Sequence, residues 1–332
     1  MLSIAQYLTG VLALAWVAGQ VEWQRAATLL GELTLGVVAA LVIVSAVALL
    51  TGLYMWYTLL NGLHPTRFGA AASAGLVVLF VNHLLPSRLS GRAVAPFVIK
   101  ILTGINYSGA VAVTGVHSGL FALFYGLVAA LGVALAFGQL PLALVSVLGV
   151  STVLYAAAGV VMLLAGTNLR ILDRLAGALV ALGSWIPAVG DRIAALAGKL
   201  PAFTAAATTD FRTLVSDPAA VMPYAAGWVV VLLIAPGVRV WLVFEGLGTG
   251  FESVLLLPVY LVTAYSVTLL PLTPGGIGVT EASATAVFLA LGVSEEVVVP
   301  AIFVDRFLGT YLPALLGWYP SLRVDFSALV SE

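Results

Sequence analysis

Residues 271–281 read Pro-Leu-Thr-Pro-Gly-Gly-Ile-Gly-Val-Thr-Glu and interrupt the apolar stretches 251–270 and 277–292. Proline removes a backbone donor and glycine frees the backbone, so this segment breaks a helix. Inside lipid, such a break has to be covered by protein or by a water-filled cavity. The helix that resumes near Gly278 would begin with free N–H groups and partial positive charge, which suits a phosphate or other anionic headgroup. The competing reading is a tight loop outside the membrane.

The surrounding chain favours the first reading. Of 332 residues, 62% are hydrophobic and only 8% charged. Ordinary soluble domains carry about 25% charged residues, so a soluble globular enzyme and a disordered chain are both excluded. The apolar residues run on without alternating, which excludes an outer-membrane barrel. A net charge of −1 gives no field to attract nucleic acid. With no cysteine there is no disulfide or thiolate site. His64, His83 and His117 lack metal-ligand spacing, and neither a Walker motif nor a dinucleotide fingerprint occurs. No metal and no cofactor is therefore expected. Enzyme status stays open, with a transporter lacking an ATPase motif preferred.

Apolar runs of spanning length fall at 2–19, 33–60, 68–85, 93–116, 118–137, 139–166, 223–245, 251–270, 277–292 and 297–320. They predict an all-α, polytopic transmembrane helix bundle of about eight spanning helices plus two broken or re-entrant elements, with an internal repeat. Residues 1–166 form one transmembrane half and 223–332 the other. Residues 167–222 mix charges with apolar residues at helical spacing and read as an amphipathic surface connector. The positive-inside rule puts that connector in the cytoplasm. The N-terminus lacks a basic region and a cleavage site, so 2–19 reads as a retained helix. Tyr54, Trp56 and Tyr57 suit an interface belt, as do Trp318 and Tyr319. Arg239 and Glu245 read as marking the end of the 223–245 span.

A second break, Asn-His-Leu-Leu-Pro-Ser-Arg-Leu-Ser-Gly-Arg at 82–92, sits in the first half. His117 lies 31 residues after Pro86, and Arg306 lies 32 after Pro274. Paired interruptions in two halves point to a transporter-like site. Arg306 is deep in an apolar segment, where a charge costs about 2.5–3.5 kcal/mol and normally faces protein or water. Glu281 is its candidate partner, while the adjacent Asp305 faces elsewhere on the helix. Alternatively Arg306 holds a lipid phosphate and Glu281 a cationic group, or the pair is purely structural. Arg88, Arg92 and Lys100 form a second cationic group suited to a phospholipid or polyprenyl phosphate, or to snorkelling at the interface.

The second break, with Leu291-Gly292-Val293 and Ala301-Ile302-Phe303-Val304-Asp305-Arg306-Phe307 behind it, resembles the C-terminal signature of the lysylphosphatidylglycerol synthase transmembrane (flippase) domain family. The first break is similar to that family's first-half motif. By that resemblance Pro274, Gly275, Gly276, Gly278, Glu281 and Arg306 match the second motif, and Asn82, Pro86, Arg88 and Arg92 the first. The resemblance implies a multi-pass protein of a prokaryotic cytoplasmic membrane that flips lipids with modified or polyprenyl-linked headgroups. Its partners would be membrane lipids, with a homo-oligomer or a lipid-modifying enzyme beside it. Two departures count against a lysyl-lipid substrate. Ser90 and Gly91 stand where the family usually has Gly-Glu, and Val116 and His117 where it often has Glu-Arg. The alternative is an integral-membrane transferase acting on a lipid-linked sugar or headgroup.

Overall fold

The structure, a computed structural model, describes residues 33–84, 88–168, 190–270 and 273–324, with Thr28 and Gly31 besides. The expected first span at 2–19, Pro86, and residues 169–189 of the connector lie outside the described residues. All regular structure among the described residues is helical.

The first half runs through α1 (Leu35–Leu63), α2 (Phe68–Leu84), α3 (Arg88–Thr103), α4 (Tyr107–Leu135) and α5 (Leu142–Thr167). Helix α6 (Gly190–Ser216) follows. The second half comprises α7 (Pro218–Gly246), α8 (Val254–Leu269), α9 (Val279–Ala290) and α10 (Glu295–Ser321). Five of these, α1, α4, α5, α7 and α10, are long and apolar enough to cross a membrane. Helices α2, α3, α8 and α9 have 17 residues or fewer, or no more than about 26 Å at 1.5 Å per residue, short of the roughly 30 Å hydrocarbon core.

Local sequence fixes several ends. Asn106 caps α4 by accepting the Gly109 N–H at 2.8 Å. Gly104, at φ 76°, stops α3 just before it. The 93–116 stretch is therefore two elements, a short helix and the first turns of a long one, rather than one span. Asp217 caps α7, accepting the Ala219 N–H at 2.9 Å, with Pro218 at the first helical position. Gly138, at φ 89°, makes the turn between α4 and α5.

The same order of a long helix, a short packed pair and a long helix occurs twice: α1, α2 with α3, α4; then α7, α8 with α9, α10. Helices α1 and α7 run antiparallel. Gly62 meets Ala220, Gly227 meets Met55, Gly52 meets Val231 and Gly246 meets Val37. The leading helices of the two halves thus point in opposite directions, as an inverted repeat requires. Glycines also let α4 and α5 touch backbone to backbone: a Cβ at Gly126 would stand 2.5 Å from the Ala156 nitrogen.

Exposed apolar side chains crowd the outer faces of α1 and α5, for example Val42, Ile43, Leu50, Val153, Val161 and Leu164. In water such stripes would aggregate; in lipid they are the natural outer surface. Helices α7 and α10 are the central ones, half or more buried against about a tenth for α1. Helix α6 packs on the first half, where Phe211 fills the space beside Gly115 and Gly166, and the Ser108 hydroxyl donates to Asp210 at 3.2 Å.

Candidate functional site

The two breaks meet. A Cβ at Gly275 would stand 2.9 Å from Cδ2 of His83, at the end of α2. Gly275, Gly276 and Gly278 have φ of 63°, 77° and 83°, values an L side chain rarely adopts, which is why three glycines are needed here. The Thr280 hydroxyl closes the turn on the Gly276 carbonyl at 2.7 Å.

Helix α9 then starts, with a carboxylate of the chain's own in its first turn. Glu281 reaches back and its Oε2 accepts the Gly278 N–H at 2.7 Å. The Gly278 N–H is therefore not open to an anion, because the chain supplies its own carboxylate there. Glu281 Oε1 accepts from Arg306 Nε at 2.9 Å and from the Tyr311 hydroxyl at 2.5 Å. Glu281 and Arg306 are therefore partners, both buried. Tyr265 and Tyr311 place their rings 5.3 and 5.5 Å from the guanidinium carbon.

Asp305 turns the other way, as adjacent helical residues do. Its Oδ1 accepts from Arg239 at 2.8 Å from Nε and 2.7 Å from Nη2, and its Oδ2 from the Tyr265 hydroxyl at 2.7 Å. Arg239 is thus a core residue, 3% exposed, and not the end marker that the sequence suggests. Tyr265 joins the two pairs: it donates to Asp305 and lies over Arg306.

Arg306 borders a cavity of about 250 Å³. Asn82 and His83 from α2, Thr114, His117 and Ser118 from α4, Tyr265 and Thr268 from α8, and Thr310 from α10 supply its polar wall. Arg306 Nη1 donates to Thr310 at 3.0 Å, while Nη2 is buried with no hydrogen-bond partner. Asn82 Oδ1 is likewise unpaired. Trp56 stacks on His117 with ring centroids 4.1 Å apart, and the Tyr224 hydroxyl reaches the His117 carbonyl at 2.9 Å. Trp56 is buried, so it belongs to the cavity wall and not to an interface belt. Both α7 and α10 switch to π-helical turns beside this space, at Val230–Ile234 and Phe307–Tyr311. Pro236 and Pro313 cannot donate to Leu232 and Gly309 four residues back, and i to i−5 bonding replaces the usual ladder. Such segments favour functional sites, and Leu232 and Gly309 both face the cavity.

The structure thus gathers Asn82, Gly275, Gly276, Gly278, Glu281, Asp305 and Arg306. Lys100 lies apart: it is exposed at the end of α3, 6.0 Å from the Tyr107 ring, and lines neither this cavity nor the one adjoining it. The side chains of Arg88, Arg92 and Pro274 lie outside the described residues. Arg239, His83, His117 and Trp56 were not legible as site residues. Two carry a signal in the sequence: Arg239 is a charge inside an otherwise apolar run, and His117 stands after the first break at nearly the spacing Arg306 has after the second.

The lysylphosphatidylglycerol synthase TM region family matches residues 3–317. The chain belongs to that family. It is an integral, multi-pass membrane protein. A UPF0104 membrane protein of Pyrococcus horikoshii is 33% identical over 79 residues, which span 24% of this chain and 23% of that protein. No solved structure matches the chain.

Proposed function

We propose that this family member is a lipid flippase, moving a phospholipid or polyprenyl-phosphate headgroup across a prokaryotic cytoplasmic membrane through the central cavity. The observation that carries this reading is the buried, unpaired Nη2 of Arg306 at the cavity wall, between the two breaks. An arginine holds a phosphate through just such N–H groups. In this reading α2 with α3, and α8 with α9, are re-entrant hairpins that keep the irregular backbone away from lipid tails. The 167–222 connector lies at the cytoplasmic surface. Gly275, Gly276 and Gly278 with the π-helical turns give the hinges for rocking one half against the other.

The test is headgroup movement in liposomes holding the purified chain and a labelled anionic phospholipid in neutral carrier lipid. Wild type should carry label across without changing its mass, and Arg306→Gln and Glu281→Gln should fall to the rate of empty vesicles. Wild-type rates in both variants would overturn the assignment of the site. A covalently altered lipid would instead favour a membrane transferase.

A further inference from the structure

A second cavity, of about 200 Å³, adjoins the first. Trp56, Gly75, His117, Leu232 and Gly309 border both. The two are offset along the helices. The first touches α1 only at Trp56, whereas the second extends back to Ser45, eleven residues or about 16 Å along the helix axis. On α7 it reaches Arg239, and on α10 it reaches Pro313. Antiparallel pairing of α1 with α7 brings the Ser45 level to the Arg239 level.

Two donors in this cavity have nothing to bind. Arg239 spends Nε and Nη2 on Asp305, and its buried Nη1 has no partner. Ser45 Oγ is buried and also unpaired. Ser45, like the buried Thr152 and Thr285, does not make the bond to the carbonyl four residues back that a helical hydroxyl can make. Thr114, Ser146 and Thr209 make that bond, at 2.8–2.9 Å. A buried donor left empty costs free energy, so the pair of them in one cavity marks a place for an acceptor. Asp305 Oδ1 and Oδ2 are already bonded to Arg239 and Tyr265, so an incoming group meets donors.

We infer that this cavity is a second oxyanion site, in which Arg239 Nη1 and Ser45 Oγ hold a phosphate oxygen. Gly309 lines both cavities, and a Cβ there would stand 2.4 Å from Nη2 of Arg239, so glycine leaves room for the guanidinium at this wall. As a second station for a travelling headgroup the site rests on the transport reading. As a binding site it stands alone and is measured without transport.

Equilibrium dialysis of the full chain in detergent tests it, with radiolabelled dihexanoyl phosphatidate and, separately, radiolabelled inorganic phosphate. The saturable component is counted. Wild type should bind two phosphatidates per chain and Ser45→Leu, which fills the cavity without touching the ion pair, only one. Ser45→Ala should weaken one class about three- to tenfold, the worth of one hydrogen bond. Arg306→Gln should lose the other class. The same pattern with inorganic phosphate assigns the site to the free oxyanion as well; a pattern confined to phosphatidate assigns it to the lipid headgroup. Binding of one molecule, lost in Arg306→Gln and unchanged in both Ser45 variants, would overturn the second site and leave the flippase reading intact. No saturable binding of either probe would overturn the second site and the headgroup reading together.

Discussion

Replacing Glu281 with alanine strips three hydrogen bonds from one buried carboxylate: those from Arg306 Nε, the Tyr311 hydroxyl and the Gly278 N–H. Arg306 is then left buried with only Thr310 and two aromatic faces around it. Breaking a buried ion pair from one side costs about 3–5 kcal/mol, chiefly because the surviving charge is uncompensated. Arg306→Met is the milder cut. Glu281 keeps two of its three donors, and the loss is that of a hydrogen bond to a charged group, about 1.5–3 kcal/mol. In the double variant no charge is stranded. Its cost should fall below the sum of the single costs by about 2–3 kcal/mol, within the range seen for directly coupled residues. Denaturant titration of the purified chain in micelles, followed by helical circular dichroism, gives the four stabilities of this cycle. Costs that add to within about 0.5 kcal/mol would refute the argument, since independent sites add in that way.

Two further substitutions test the packing around the site. Gly309→Val should press on the Arg239 guanidinium, fill space at the wall the two cavities share and abolish headgroup movement in liposomes, at an overpacking cost of about 1–3 kcal/mol in the same titration; wild-type movement would show that this wall is not used. Gly126→Ala puts a methyl 2.5 Å from the Ala156 nitrogen, where backbone cannot yield, so α4 and α5 must separate and stability should fall by a similar 1–3 kcal/mol; an unchanged unfolding midpoint would mean that this close approach contributes nothing.

The helix breaks were legible because their chemistry is local. Gly275, Gly276 and Gly278 advertise positive φ, and a glutamate three residues after Gly278 is at the spacing of a capping box, though it was read as a partner for Arg306 and not as the cap. The Glu281–Arg306 pair was legible by scarcity, since a deep charge needs a partner and few exist. The same scarcity argument failed for Arg239. It lies seven residues from Gly246, where α7 ends, so distance along the chain allowed it to snorkel to the surface. Its burial follows from α1 and α10 packing against that face, which no single-chain periodicity encodes. Trp56 failed for a related reason: an aromatic near a helix end serves equally as an interface anchor or as a wall for His117. His83 and His117 lack metal-ligand spacing, His117 matches Arg306 only by its distance from a break, and the place of both at the cavity depends on how the two halves meet.

The charge arithmetic of the cluster bears on what it can release as well as what it can hold. Glu281, Arg306, Asp305 and Arg239 sum to zero, so the buried network carries no net charge into the membrane. Every oxygen of the two carboxylates already has a donor: Glu281 Oε1 and Oε2 accept from Arg306, Tyr311 and Gly278, and Asp305 Oδ1 and Oδ2 from Arg239 and Tyr265. The two guanidiniums, with five N–H donors apiece, are not all paired, and Arg306 Nη2 and Arg239 Nη1 are left over. A phosphate oxygen arriving at either nitrogen completes a donor that is already desolvated, and leaving restores a neutral network in place of a bare charge. A cationic headgroup would have to share carboxylate oxygens that already hold donors of the chain. In the proposed flippase an anion preference would therefore come from an imbalance of donors over acceptors and not from net charge, as suits a site that a headgroup has to enter and leave.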